Sequence, residues 1–443
     1  MYMKKSLSIM LSLVLVLLVV TTGCSQQSST TANPAKTETK SAETTTASEE
    51  TSQKNVELTI AARAGSMADA LTEVVKKYEE KQGIKVHVNA MPYDNLKETI
   101  VLDVRNSSGA FDLVMIDDPW MPEFAEAGIL TNLDTYFPNG LDSDFVAKSV
   151  ALGKEPYGTG SLYAVPFIGN VQMFFFRDDL LKKYNVEAPK TWDDVAKIAE
   201  LVAKEEPDTF GYALRGQRGN PIVSNYLPLF WAYGGTVIDE NNKPHVNSEA
   251  GVKAMEMYMK LKETGPKGVE TFDSDQIATA LTQGQVAMTI AWPSWVSKVD
   301  NPENSKVVGK VNFSPVPSQV KESAAMIGNW LLGIPRTSKN VEEAAAFLEW
   351  VSSAEIQKEM TQLGAGAPTR VSVYEDPDLV KEFRHFPAQL KALENSVVRP
   401  RTTKWSQVED TWGLYLSQIL AGQMEIKEGL DKANQEIEAI LSR

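Results

Sequence analysis

Cysteine occurs once in the 443 residues, at Cys24. A single thiol excludes an intrachain disulfide framework and any cysteine-built zinc site. Histidine is nearly as scarce, and His87, His245 and His385 lie too far apart in the chain to read as a transition-metal cluster. There is no Walker-type phosphate loop, no G-x-S-x-G elbow and no H-E-x-x-H helix, and Y-G-T-G at 157–160 is too short to cradle a phosphate. No cofactor is expected. No apolar run reaches the roughly 20 residues that a membrane-spanning helix needs. Basic residues are also in deficit: 44 Lys and Arg stand against 58 Asp and Glu, a net charge of −14. That acidity argues against nucleic acid as a partner and against a body lying on anionic lipid.

The lone cysteine has an informative position. Lys4 and Lys5 precede an apolar stretch from Leu11 to Val20, followed by Thr21, Thr22 and Gly23. This is the order of an export signal: charged region, apolar region, small-residue cleavage zone. With Cys24 directly after it, the segment resembles a bacterial lipoprotein signal, in which the cysteine is diacylated and becomes the mature N-terminus. Thr21 departs from that pattern, where leucine is usual. An uncleaved signal anchor or a free thiol are the alternatives. The expectation is a signal peptide over 1–23, a lipid anchor at Cys24, and residence on the outer face of the cytoplasmic membrane, since two acyl chains suffice for stable anchoring. Loss of Lys4 and Lys5 would leave a mature charge of −16. Residues 24–55 are dominated by Ser, Thr, Glu and Lys and hold no aromatic residue. Such a segment buries too little apolar surface to offset chain entropy, and it reads as a disordered tether.

About 390 residues follow, enough for two domains or lobes by the usual size prior. Strand and helix patterns alternate. V-E-L-T-I-A-A (56–62), 84–92 and F-D-L-V-M-I-D (111–117) predict strands. The stretch 67–83 predicts an amphipathic helix with Leu71, Val74, Val75 and Tyr78 on one face and Gly83 at its end. Further helices are expected at 93–109, 122–130, 190–207, 250–265, 273–285, 340–353 and 407–423, with a strand at 286–292. No internal repeat is present.

Several segments carry a resemblance when read in order: K-Y-E-E-K-Q-G-I-K-V, F-D-L-V-M-I-D-D-P-W, Y-A-V-P-F with R-D-D-L and P-K-T-W-D-D-V, G-Q-V-A-M-T-I-A-W-P-S-W, I-G-N-W-L-L-G-I-P, and R-P-R-T-T-K-W. Together they resemble family 1 of the extracellular solute-binding proteins of ABC transporters, the maltose- and trehalose-type sugar-binding lipoproteins, over nearly all of residues 56–443. The resemblance implies an α/β, two-lobed periplasmic-binding-protein-like fold (class II), with hinge crossovers and a ligand cleft between the lobes. By analogy the N-terminal lobe would comprise 56–168 plus 318–368, and the C-terminal lobe 169–317 plus 369–443. It also implies a monomer that is not an enzyme and that delivers a sugar or oligosaccharide to ABC permease subunits.

Tryptophan is abundant, with nine in the chain. Trp192, Trp350 and Trp412 fall at a helix start or on apolar helical faces and read as core. Trp231, in P-L-F-W, could pack on the sheet or face the cleft. Trp120, Trp292, Trp295, Trp330 and Trp405 follow expected strands or lie in loops. An indole face suits the aliphatic C–H patch of a sugar ring, while carboxylates, amides and arginines satisfy its hydroxyls. The family pattern adds Arg63 past the first strand, Asp117 and Asp118 at the end of the third, Asn170 and Gln172 at the crossing, Asn225 and Tyr226 before P-L-F-W, and Asn329 beside Trp330. Arg370 reads as a structural hinge residue more than a ligand contact. Asp117 and Asp118 raise the alternative of a glycoside hydrolase. Adjacent strand residues point to opposite faces, however, so one of the two should face the core or a loop amide. A peptide, polyamine or glycerol phosphate ligand is the third reading.

Overall fold

The computed structural model describes residues 56–322 and 324–443. The expected signal peptide 1–23, the anchor Cys24 and the tether 24–55 lie outside the described residues. Two sheets organise the remainder. The first has five strands in the order β2-β1-β3-β9-β4: β1 is Glu57–Arg63, β2 Lys85–Met91, β3 Leu113–Asp117, β4 Ala164–Ile168 and β9 Trp330–Gly333. β1 runs parallel to β2 and β3, whereas β9 runs antiparallel to β3 and β4. The second has four strands in the order β8-β5-β7-β6: β5 is Met173–Arg177, β6 Phe210–Tyr212, β7 Val286–Ala291 and β8 Val311–Ser314. Every residue of β3, β4, β5, β7 and β9 is buried, as strands covered by helices on both faces must be.

Local chemistry sets the helix ends. The helix Ser66–Gln82 buries Leu71, Val74, Val75 and Tyr78, and it stops at Gly83, whose φ of 69° permits the left-handed cap. The helix Trp192–Glu205 begins with a capping box in which Thr191 and Asp194 satisfy each other's backbone amides. Two predicted helices are shorter than their patterns. The one from Tyr93 ends at Arg105, just before Ser107 turns to a φ of 52°. The one expected at 122–130 is a 3-10 turn, Asp118–Trp120, running into the helix Met121–Glu126. The helix expected from 407 begins at Trp405 and ends at Leu420.

The two sheets meet through chain crossings. β4 ends at Ile168 and β5 begins at Met173, so residues 169–172 pass from one sheet to the other. Residues 326–329 pair with this crossing through Gln172 N to Met326 O (3.0 Å) and Gly328 N to Asn170 O (3.0 Å). A third segment closes in at Gly169, whose amide donates to Ala367 O at 2.8 Å. A Cβ on Gly169 would stand 2.1 Å from Pro368 O, so only glycine allows that approach. Among the described residues no helix is long and apolar enough to cross a membrane.

Candidate functional site

The carboxyl ends of β1 and β3 and the first residue of β9 share one edge of the first sheet. Trp330 lies in register with Asp117 on one side and Ile168 on the other. Ligands in open α/β folds gather beyond such strand ends, where loops converge. Here Trp330 packs edge-on to Trp120 (ring centres 5.9 Å apart) and to Tyr93 (6.0 Å), and Tyr93 and Trp120 lie 5.3 Å apart. The three rings form one aromatic wall.

Beside that wall sits a buried charge cluster. Asp117 accepts from the Tyr93 hydroxyl at 2.8 Å and from Arg399 Nη2 at 2.9 Å. The same Nη2 donates to Asp118 Oδ2 at 2.7 Å. The expectation that the two carboxylates diverge is therefore wrong. β3 ends at Asp117, and Asp118 opens a 3-10 turn, so strand alternation no longer applies and both carboxylates reach one guanidinium. Arg401 anchors the same turn through the Asp118 carbonyl at 2.7 Å and pairs with Glu155 at 3.5 Å. Burial pushes the Asp118 carboxyl up to about 6, with the Asp117 charge adding to the rise and Arg399 and Arg401 opposing it.

The second sheet supplies the facing elements. Trp292 follows β7 and stands over Gly328, where an added Cβ would meet its ring at 2.7 Å. Gln172 donates through Nε2 to Ser224 O at 2.9 Å, and Asn225 Oδ1 accepts from Arg215 N and Tyr258 Oη, each at 3.1 Å. Asn329 donates to Ser149 Oγ at 2.6 Å. Asn170, Gln172, Asn225 and Asn329 are all buried, yet among the described residues Asn170 Oδ1, Gln172 Oε1, Asn225 Nδ2 and Asn329 Oδ1 have no hydrogen-bond partner, and neither has Asp118 Oδ1. Buried polar atoms are paired in the great majority of cases, so such a group near one crossing marks a place for an external partner.

Of the remaining sequence-derived candidates, Arg63 ends β1 at this same edge, and the others lie within helices or the core. Tyr226 lies inside the helix Asn220–Ala232, fully buried among Phe230, Tyr258 and Trp412, with its hydroxyl on Gly251 O. Trp231, on the same helix, joins that core. Trp295 and Trp405, expected in loops, are instead the first residues of helices, Trp295–Val299 and Trp405–Leu420. Trp295 is packed in an apolar cluster with Ile277, Leu281 and Val299, and Trp405 is 1 % exposed. A large side chain at a helix start is covered by the element the helix docks on, which a loop assignment misses. Arg63 ends β1 half-buried and bonds the neighbouring Ala64 carbonyl. Arg370 pairs with Asp142 and Asp144 and covers the Phe145 ring, the structural role expected of it. Trp192 and Trp412 are core, and Trp350 packs half-buried on Tyr78.

Comparison with known proteins fits this geometry. The family described as bacterial extracellular solute-binding protein matches residues 64–358. The chain belongs to that family. A probable amino-acid ABC transporter periplasmic-binding protein of Sinorhizobium fredii is 28% identical over 347 residues, 76% of this chain and 78% of the relative. Among solved structures, a ribitol complex of an ABC transporter solute-binding protein from Agrobacterium radiobacter superposes with a TM-score of 0.81 at 26% identity, covering 87% of this chain and 98% of that one. Maltose-bound MalE3 of T. maritima gives a TM-score of 0.81 at 25% identity, covering 87% and 99%. The fold is accordingly the two-lobed solute-binding architecture, with the ligand cleft between the lobes, and the family places the protein outside the cytoplasm.

Several residues of this binding protein's site were not legible beforehand. Arg399 and Arg401 lie in R-P-R, and Tyr93 at a helix start, positions that carry no periodic or strand-end signal. R-P-R itself was the available signal: a proline-interrupted basic pair in an acidic chain, just before a helix.

Proposed function

We propose that this binding protein captures a neutral polyhydroxylated solute, a sugar or sugar alcohol, between its lobes and passes it to the permease of an ABC importer. The observation that carries the reading is the set of buried, unpartnered amide and carboxylate atoms at Asn170, Gln172, Asn225, Asn329 and Asp118 beside the Tyr93–Trp120–Trp330 wall. With the unpartnered Nε of Arg399 and Arg401 beside them, these atoms include both acceptors and donors, which suits hydroxyls that accept as well as donate, and an aromatic wall suits the C–H face of a sugar. The ribitol and maltose held by the two similar structures are of this class. An amino-acid ligand, suggested by the Sinorhizobium relative's name, would need a free cation for its carboxylate. Arg399 and Arg401 are already engaged by Asp117, Asp118 and Glu155, which leaves Arg63 at the end of β1 as the cation such a ligand would use. The paired carboxylates do not support a hydrolase either, because both are tied to one arginine, and the protein binds without turnover.

In this reading the lobes are 56–168 plus 318–368 and 169–317 plus 369–443, and the chain acts as a monomer held to the membrane by lipidated Cys24. A thermal-shift panel of ribitol, mannitol, maltose, maltotriose and the common amino acids tests the ligand class. A ligand at about 1,000 times its Kd stabilises by roughly 4 kcal/mol. Stabilisation by a polyol or sugar supports the reading, and stabilisation by amino acids alone overturns it.

A further inference from the structure

We propose that closure of the two lobes takes up a proton at Glu409, so that solute capture is favoured as the external pH falls. This regulation rests on the binding-protein reading for its lobe movement, not on the identity of the solute.

Glu409 lies on the second turn of the helix Trp405–Leu420. That helix packs on the helices Asn220–Ala232 and Ile426–Leu441 of the second sheet's half, and its start touches the Asp118–Trp120 turn of the first. Glu409 is 6% exposed. It accepts one hydrogen bond, from Asn220 Nδ2 at 3.0 Å, and among the described residues it makes no ion pair. The groups around it come from each neighbouring element. Its own helix contributes Asp410, and the preceding segment contributes Arg399. The end of β3 contributes Asp117, and the helix Tyr93–Arg105 contributes Tyr93. Lys97 of that helix is engaged by Glu123 and Ser406 Oγ, both at 2.6 Å. Asn220 is neutral. Arg399, the nearest cation, already serves Asp117 and Asp118, while Arg401 serves Asp118 and Glu155. Glu409 is therefore a buried carboxyl without a cation of its own, set against an acid from the opposite lobe.

A carboxyl so placed is held more easily neutral than charged. Burial pushes Glu409 up to about 7, with Asp117 adding to the rise and Arg399 opposing it. Parting of the lobes removes Asp117 and Tyr93 and returns water to the group, restoring a value near the ordinary ~4.3. The closed-state value then exceeds the open-state one. Closure binds up to one proton between those limits, is fully favoured below the lower one, and weakens as pH rises through about 7. One coupled proton changes an equilibrium constant by at most about tenfold per pH unit.

The test needs no solute, so its outcome is separate from that of the ligand panel. The full chain carrying Cys24→Ser receives spin labels at Leu102→Cys and Val308→Cys, exposed sites (56% and 42%) in 56–168 and 169–317 respectively. Inter-label distances are then measured by pulsed electron paramagnetic resonance from pH 8.5 to 5.5. The short-distance population should grow several-fold on acidification, and in Glu409→Gln, with its fold checked by circular dichroism, it should be high at every pH. Asn220→Asp, which places another acid beside Glu409, should move the midpoint upward. A distribution that ignores pH, a response unchanged in Glu409→Gln, or an unmoved midpoint in Asn220→Asp overturns the proposal.

Discussion

Trp292 rests directly on Gly328, so close that a Cβ at 328 would lie 2.7 Å from Cη2 and 2.9 Å from Cζ3 of the indole. The tryptophan comes from the end of β7 and the glycine from the segment paired with the crossing, so this contact sets where one wall of the cleft stands. Absence of a side chain at 328 is what admits the ring.

Gly328→Ala should therefore push the indole out and destabilise the fold by about 1–3 kcal/mol, the usual range for overpacking. The cost should largely vanish in a Trp292→Ala background. A double-mutant cycle by urea denaturation measures the coupling, and additive losses would show that ring and glycine are independent.

Removing one partner of a buried ion pair strands the other. Arg399→Leu leaves Asp117 and Asp118 buried without their shared guanidinium, which should cost about 3–5 kcal/mol at neutral pH. The deficit should shrink toward pH 5. Burial already raises Asp118 to about 6 against the opposing Arg399 charge, so without the arginine its carboxyl is pushed further up, and protonation relieves its burial in the folded state. Denaturant melts of both proteins at several pH values check the size and the sign.

The tryptophans of A-W-P-S-W and G-N-W should separate into two behaviours. Trp330→Ala and Trp292→Ala should weaken solute binding by roughly ten- to a hundredfold, taking the ~1–3 kcal/mol of base stacking on aromatics as the guide. Trp295→Ala should act on stability, by about 3–5 kcal/mol, because that indole fills a core cluster. Calorimetric titration with the best ligand of the thermal-shift panel, beside melting curves, distinguishes the two.

Cys24→Ser should yield a protein that is secreted without a lipid and leaves the membrane fraction, with ligand binding intact. Fractionation followed by immunoblotting reads this directly. Retention of the variant on membranes after signal cleavage would contradict the lipid anchor.

Much of the architecture was legible along the chain because it is written in local periodicity. The face Leu71–Val74–Val75–Tyr78 and the Gly83 helix end lie within a few turns, and the structure keeps both. Trp120 and Trp330 could be named as tryptophans after expected strands or in loops, whereas the amides Asn170 and Gln172 came only with the family resemblance. What the sequence could not supply is which distant side chains face one another. Arg399 meets Asp117 across 282 positions, and Asn220 meets Glu409 across 189. Burial of those polar groups is a property of assembled lobes and leaves no mark in either segment alone. The same holds for Asp118, turned toward Arg399 by the strand ending one residue earlier, and for Trp295 and Trp405, drawn into cores by helices that start on them. Local propensity fixed the elements; long-range packing decided which of their side chains became a site.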